Sequence, residues 1–528
     1  MPSPIPRRPF YWFCLVLLLL GIGFRVLHLD RKVYWQDEAF TMLYISGYSP
    51  VELAAEISDR TVSMQTLQKY QHPSPQRNLA DTTQNLLTYN SAHVPIYYSL
   101  ARLWSQLTGG QPVALRQVAA VISLLSLFWG YWFFQELFRS TPAAGLGLAL
   151  IAVSPFHVLY GQEAREYSLW ILSIFASSAL LLRALRQPNR RNWLFYGVAV
   201  LLSLYSYFLN LAIVFAHGVY VLCLSRFQWG AIALRQWFYA ALLGGLPFLL
   251  WLVQVREVNA AKWTAKPFDR LVLLKVWGIN LARSFVDSEF TLRNPLTYFA
   301  LGMLLFIAYA IYLTLRTAPP RIKLFIFVLM GCTALPFALA DLVTGGRRTA
   351  IFRFVMPTYL CIQMAVVYCF SEHLWPRSPQ AVAPSQRNRW RIGLVSVVML
   401  SIISCWQAQQ AVYWWNKYDA QDTLAIASYL NQQELPLLIT HMAHPCAQCG
   451  QLLALSHRVA PDLPLQVLSE SPLPPPPPAA IANTFVFSPT KKWRKTLTQA
   501  GYTLTKEYRG PDQSLWRLGF PNRWSDRS

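Results

Sequence analysis

Eleven long, mostly apolar runs, each near the length a helix needs to cross a hydrocarbon core, leave this chain few ways to fold. They fall at residues 10–29, 113–138, 142–159, 169–185, 193–209, 211–224, 237–255, 295–315, 324–343, 350–370 and 392–413, against the roughly 17–25 residues of a spanning helix. In lipid every backbone polar group must be satisfied internally, and runs this long and continuous do so as helices. Charged residues are 13% of the 528 and apolar ones 54%, which excludes an ordinary soluble enzyme. The expected fold is therefore an α-helical polytopic membrane protein with about 11 transmembrane helices.

A net charge of +22 would suit a nucleic-acid partner if the cations lined one polar face. Here they sit in short clusters between apolar runs, so they predict topology and no nucleic acid. With the N-terminus cytoplasmic, the inner loops hold Arg139, then Arg183, Arg186, Arg190 and Arg191, then Arg226, then Arg316, Arg321 and Lys323, then Arg377, Arg387, Arg389 and Arg391. That is the positive-inside pattern. The expectation is a multi-pass protein of the cell (inner) membrane with its C-terminal part outside. Arg7-Arg8 ahead of run 10–29, without a small-residue cleavage site, predicts a retained first span. The basic loop 256–294 is placed outside and is expected to meet phosphate. Residues 93–107 are apolar on one face and too short to span, and predict an interfacial amphipathic helix.

The expected domains are a transmembrane part, 1–413, with a first outer loop at 30–112, and an extracytoplasmic α/β domain, 414–528. In the latter, apolar patches at 437–440, 465–468 and 484–487 alternate with helical stretches at 424–430 and 492–499. Residues 472–478 are a stiff proline-rich spacer.

Charged groups at the edge of hydrocarbon are costly unless paired or solvated, so their clusters mark candidate sites. The first is Tyr34-Trp-Gln-Asp37-Glu38, where adjacent carboxylates offer a base beside a group that tunes it; a solvated loop with interfacial aromatics accounts for the same residues. The second is Glu163-Ala-Arg165-Glu166-Tyr167, read with Glu163 and Tyr167 on one helical face, suited either to a sugar hydroxyl or to a structural ion pair. The third is Arg347-Arg348 with Arg353 inside the run 350–370, where a phosphate at headgroup level is the natural partner, whether of a substrate or of a membrane lipid. His93, Tyr97 and Arg102 complete the first loop and suit substrate contact.

In this order, an acidic pair after the first span, His93-Val-Pro95-Ile-Tyr97-Tyr98, Ser154-Pro-Phe-His157 with Glu163-Ala-Arg-Glu-Tyr167, and Arg353-Phe-Val-Met-Pro357 resemble the GT-C glycosyltransferases of the protein O-mannosyltransferase and aminoarabinose-transferase type. The resemblance covers roughly residues 7–357. It implies inverting transfer of a sugar from a polyprenyl-phosphate donor to an acceptor outside the membrane, a glycan or lipid before a protein. It implies Asp37 as the base, Glu38 as its neighbour, Arg353 on the donor phosphate with Arg347 or Arg348 in support, and Glu163 and Arg165 as second-wall residues of the cavity; His93, Tyr97, Arg102, Glu166 and Tyr167 join them as substrate-cavity candidates from the residues themselves. No cofactor follows from it, and a divalent metal stays open. The alternatives are a lipid-linked sugar flippase or transporter, which would carry repeated halves and midplane charges, and an oligosaccharide ligase.

Of the eight cysteines, Cys14, Cys223, Cys332, Cys361, Cys369 and Cys405 lie in apolar runs and act as small hydrophobes. His441-Met-Ala-His444-Pro-Cys446-Ala-Gln-Cys449 is open to a disulfide, free thiols or zinc.

Overall fold

The computed structural model describes residues 8–255, 262–376, 383–417, 420–442, 446, 448–469, 471, 473–476, 481 and 483–521. The chain forms two compact units, one of residues 1–29, 90–97 and 116–410, the other of 30–89, 98–115 and 411–528. Most of the first loop thus groups with the C-terminal residues, and residues 90–97 with the first unit.

The first unit is a multi-pass helical membrane bundle. Among the described residues seven helices are long and apolar enough to cross: Arg8–Val26, Pro112–Phe138, Tyr167–Arg186, Ile232–Gln254, Leu296–Thr317, Pro320–Thr344 and Pro384–Gln410. The helices Thr141–Ala152 and Pro155–Gly161, bent by 58° at their junction, supply an eighth if counted as one span. The three remaining apolar runs are also helices, Arg190–Leu204, Asn210–Leu224 and Met356–Leu374. The first two have 15 residues each, about 22 Å of rise against a core of roughly 30 Å.

Proline accounts for the bend. Pro155 lacks an N–H and disfavours a helical residue before it, and Ser154 is extended (φ −72°, ψ 128°). The carbonyls freed at the break find a donor in Arg25 of the first span. Fully buried, its guanidinium donates to Ile151 O (3.0 Å), Ala152 O (2.5 Å), Gly21 O (2.8 Å) and Ser123 Oγ (2.9 Å). Gly21 permits this approach, since a Cβ there would lie 2.4 Å from Ala152 O. Small residues serve the same purpose between helices Arg190–Leu204 and Ile232–Gln254, where a Cβ on Gly244 would stand 2.5 Å from Gly197 O and 2.8 Å from Leu201 N. Membrane helices without a hydrophobic drive between them gain contact in this way.

The second unit is built on a six-stranded mixed sheet of β1 (Thr61–Ser63), β2 (Pro436–His441), β3 (Pro464–Leu468), β4 (Asn483–Phe487), β5 (Thr503–Arg509) and β6 (Ser514–Gly519), in the order β1-β3-β2-β4-β6-β5. β2 runs parallel to β3 and β4, while β1, β5 and β6 pair antiparallel. Alternation puts Leu437 and Ile439 on one face, where they join Val486, Leu468 and Leu518 against Trp493 and Leu497 of helix Lys491–Gln499. The three expected patches are β2, β3 and β4, and the expected helices are Ala420–Leu430 and Lys491–Gln499. β1 is new: the first loop lends an edge strand to the sheet, Thr61 opposite Gln466. The proline spacer lies partly outside the described residues; Pro474 O accepts from Tyr502 Oη at 2.7 Å.

Candidate active site

In the second unit Asp37 and Glu38 open the helix Gln36–Ile45, where negative charge is favoured by the helix dipole. The pair divides at once. Asp37 is half-buried, whereas Glu38 is fully buried and its Oε2 lies 2.6 Å from Nζ of Lys417, itself 1% exposed. Lys417 also donates to Val33 O at 3.3 Å. Tyr34 Oη sits 3.1 Å from Glu38 O and 2.9 Å from Gln71 Oε1, and Gln71 donates to Ala39 O at 3.1 Å. The helix is further fixed by Gly450, where a Cβ would come within 2.5 Å of Phe40 and 3.1 Å of Gln36. Asp37 therefore projects from a helix start held on several sides. Lys417, more than three hundred residues away in sequence, carries no local motif.

Arg102 serves the other end of that helix. It is buried, and its guanidinium donates to Ile45 O (2.5 Å), Thr82 Oγ1 (3.3 Å) and Arg77 O. Ile45 is eight positions from Asp37, about 12 Å along the axis, so the guanidinium braces the helix C-terminus. Burial pulls its pKa down, and Asp81 acts against that. It lies in helix Pro95–Thr108, which is amphipathic as expected: Tyr97, Tyr98 and Ala101 are buried while Leu100, Leu103, Trp104 and Leu107 are exposed.

In the membrane unit, residues 162–166 form a turn ahead of helix Tyr167–Arg186. This corrects the expectation that Glu163 and Tyr167 share a helical face: the turn ends the preceding helix before that register exists. Instead Glu166 gathers the cluster. Its Oε1 lies 2.5 Å from His93 Nδ1, Arg165 Nε is 3.6 Å from its Oε2, and Arg165 Nη2 is 3.2 Å from His93 Nε2. Burial raises the Glu166 pKa, but the charges of Arg165 and His93 and the His93 hydrogen bond outweigh it and hold the carboxyl well below the usual range. Glu163 and Tyr167 are buried beside it, with the Arg165 guanidinium 5.9 Å from the Tyr167 ring.

Arg353 precedes, rather than lies inside, its helix. It occupies the 3-10 turn Phe352–Phe354, and helix Met356–Leu374 begins only with Pro357 in its first turn, the position where a missing N–H costs nothing. Phe352 stacks on Tyr359 (4.0 Å) and Tyr160 (5.7 Å). The Tyr160 hydroxyl has Glu163, Arg353 and Arg283 within electrostatic reach. Arg283 is a functional candidate that sequence reasoning missed, although its loop was marked for phosphate. It pairs with Asp287 (3.2 Å) and donates to Asn280 Oδ1 (3.0 Å). Its segment is pinned by Ser154 Oγ to Ser284 O (2.9 Å), Ser401 Oγ to Phe285 O (2.9 Å) and Asp287 N to Ser404 Oγ (2.9 Å). Gln363 Nε2 in turn donates to Ser154 Oγ at 2.9 Å, and its Oε1 lies 2.9 Å from His157 Nε2. An Arg with Asp four residues on, among Ile279, Leu281, Phe285 and Val286, was the available signal.

Arg347 and Arg348 follow Gly345, whose φ of 72° suits a residue without a side chain. Asp341 organises this turn, accepting from Arg348 Nη1 (3.1 Å), Arg348 N (2.9 Å), Thr349 N (2.7 Å) and Thr349 Oγ1 (2.7 Å). The charge of Arg348 is thereby balanced within the turn.

Cys446 and Cys449 form a disulfide, which resolves the three options left by the sequence. His444 lies outside the described residues, and among those described no three His, Cys, Asp or Glu side chains converge as a metal site.

No family model and no curated protein matches this sequence. Solved structures do. The apo crystal structure of ArnT from Cupriavidus metallidurans aligns with 95% of this chain and 97% of its own at 12% identity and a TM-score of 0.50. ArnT bound to undecaprenyl phosphate aligns over 96% and 97% at 11% identity and 0.47. The apo oligosaccharyltransferase of Archaeoglobus fulgidus aligns with 88% of this chain and 65% of its own at 13% and 0.47. At 12% identity the likeness to apo ArnT is one of fold, and with the helical bundle and the α/β unit described above it shows that this chain has the GT-C fold expected from its motifs.

Proposed function

We propose that the protein is a membrane glycosyltransferase that moves a sugar from a polyprenyl-phosphate donor to a hydroxyl acceptor at the outer membrane face. The observation that supports this reading is Arg353 in the turn just ahead of helix Met356–Leu374, in a membrane-spanning unit with the fold of ArnT; a guanidinium at headgroup depth suits a phosphate. ArnT, which shares the fold, has been crystallised with undecaprenyl phosphate, and the proposed carrier belongs to that class. The N-terminus is assigned to the cytoplasm and the α/β unit to the outside, with catalysis in the transmembrane part and first loop.

The acceptor oxygen attacks the anomeric carbon from the face opposite the carrier, and Asp37 takes its proton. The bond from that carbon to the phosphate oxygen breaks, and the carrier leaves as a phosphate monoester with one more negative charge than the diester it came from. Arg353 and Arg283 stabilise that developing charge, with Arg347 in support. Asp37 keeps its orientation because Glu38 and Lys417 hold its helix. The Glu166, Arg165 and His93 cluster, with Glu163, Tyr97 and Tyr167, lines the sugar-binding side.

The test is transfer of label from polyprenyl-phosphate sugars by purified protein in detergent, wild type beside Asp37→Asn, with and without chelator. Wild type transfers label and Asp37→Asn falls by about 100-fold or more with an unchanged melting temperature. Full activity of Asp37→Asn would falsify the role of that base, and donor movement across the bilayer of proteoliposomes, without transfer, would establish a flippase instead.

A further inference from the structure

A second basic cluster lies in the membrane unit on residues that take no part in the proposed chemistry. It joins three helices that each pass as a span: Pro112–Phe138 near its C-terminus, Tyr167–Arg186 at its C-terminus and Pro320–Thr344 at its N-terminus. Their ends converge on Glu136, 4% exposed. Arg186 Nη2 lies 2.5 Å and Arg183 Nη1 3.5 Å from Glu136 Oε1. Arg321 donates to Leu137 O at 2.9 Å, closing the C-terminus of the same helix, and has Arg139, Arg186, Glu136 and Tyr220 within electrostatic reach. Two guanidinium groups therefore pair with one carboxylate, Arg321 caps the helix end beside it, and Arg139 adds positive charge near Arg321.

Orientation of a membrane protein requires only that basic residues be numerous in a loop. It does not require arginines from three distant segments to meet, and their convergence leaves positive charge that Glu136 does not cancel. The level in the membrane is marked independently. Trp132 Nε1 donates to Glu136 Oε1 at 3.3 Å and its ring stacks on Trp129 at 5.0 Å, the indole placement typical of the headgroup region. The side chains of Arg183 and Arg186 are 38% and 33% exposed, so their remaining N–H groups face outward while one edge is fixed by Glu136.

We propose that this end of the bundle is a binding site for an anionic phospholipid headgroup, distinct from the donor-phosphate site. The lipid phosphate takes forked hydrogen bonds from Arg186 and Arg183, with Arg321 and Arg139 supplying further positive charge, and its acyl chains lie along the exposed apolar flank of the spans. The orientation expected from the sequence puts this site in the inner leaflet.

The test uses the full chain in detergent, with bound lipid counted by native mass spectrometry after exposure to phosphatidylglycerol or phosphatidylcholine. Wild type retains phosphatidylglycerol over phosphatidylcholine, and the double variant Arg183→Gln/Arg186→Gln loses that retention by roughly tenfold or more. Arg316→Gln, in the same basic loop as Arg321 but outside the cluster, keeps it. Equal retention of the two lipids by wild type overturns the proposal, and this arm holds even if the double variant does not fold. An equal loss in Arg316→Gln also overturns it, because diffuse charge would then suffice. Displacement of phosphatidylglycerol by millimolar inorganic phosphate would overturn the lipid in favour of a soluble anion.

Discussion

Replacing Lys417 by methionine removes one partner of a fully buried ion pair and leaves the other charged and buried. Glu38 is 0% and Lys417 1% exposed, with 2.6 Å between Oε2 and Nζ. Breaking such a pair from one side costs about 3–5 kcal/mol, most of it the stranded charge. Val33 O also loses its Lys417 donor at 3.3 Å, adding about 1 kcal/mol or slightly more. Lys417→Met is thus expected to lower the melting midpoint of the second unit by roughly 10 °C and to weaken transfer with it, because the helix start bearing Asp37 is no longer held. Glu38→Gln alone strands the ammonium and has a similar effect. The double variant Glu38→Gln/Lys417→Met removes both charges and recovers most of the loss. The assay is thermal unfolding in detergent across this double-mutant cycle, alongside transfer activity. A coupling energy below about 1 kcal/mol would refute the reasoning, since it would mean that the pair is solvated and does not fix the Asp37 helix.

Three further outcomes follow from the geometry. Arg283→Ala is expected to raise the KM for the lipid donor and lower kcat/KM by about 10–100-fold, and a variant with wild-type donor kinetics would remove Arg283 from the phosphate site. Gly244→Ala places a methyl 2.5 Å from Gly197 O and 2.8 Å from Leu201 N; backbone cannot yield there, so a loss of about 1–3 kcal/mol is expected in unfolding measurements, and an unchanged midpoint argues against the close helix contact. Glu166, with its carboxyl held below the ordinary value of 4.5, contributes stability that is complete above that pH and fades as pH falls through the lower folded value. The stability gap between wild type and Glu166→Gln should therefore narrow below about pH 4.5, and a gap that stays constant down to pH 3 would contradict the ion pairing with Arg165 and His93.

Much of the architecture is legible in one dimension because lipid is a severe solvent. Each apolar run is largely helical in the structure, 142–159 as two helices, since a backbone in hydrocarbon has almost no other way to satisfy its own hydrogen bonds. The central strands of the α/β unit were visible for a comparable reason, as short apolar runs such as 437–440 can be buried on both faces. Runs 142–159 and 350–370 read as continuous spans, so the sequence predicts neither the break before Pro155 nor the turn before Pro357, nor that Arg353 falls outside its helix or Glu163 lies in a turn.

What tertiary structure alone decided are the partners. Nothing near Glu38 announces Lys417, nothing near residue 152 announces that Arg25 will cap its carbonyls, and the polar segment 61–63 carries no periodicity that would make it an edge strand of a sheet four hundred residues away. The same holds for Arg102, which by sequence stood beside the substrate and in the fold braces a helix end. Hydrophobic periodicity is a property of neighbours in the chain, so it determines which segments become helices and strands. The pairing of buried charges depends on which segments meet after folding, and in this protein those pairings decide which arginines and carboxylates hold the fold.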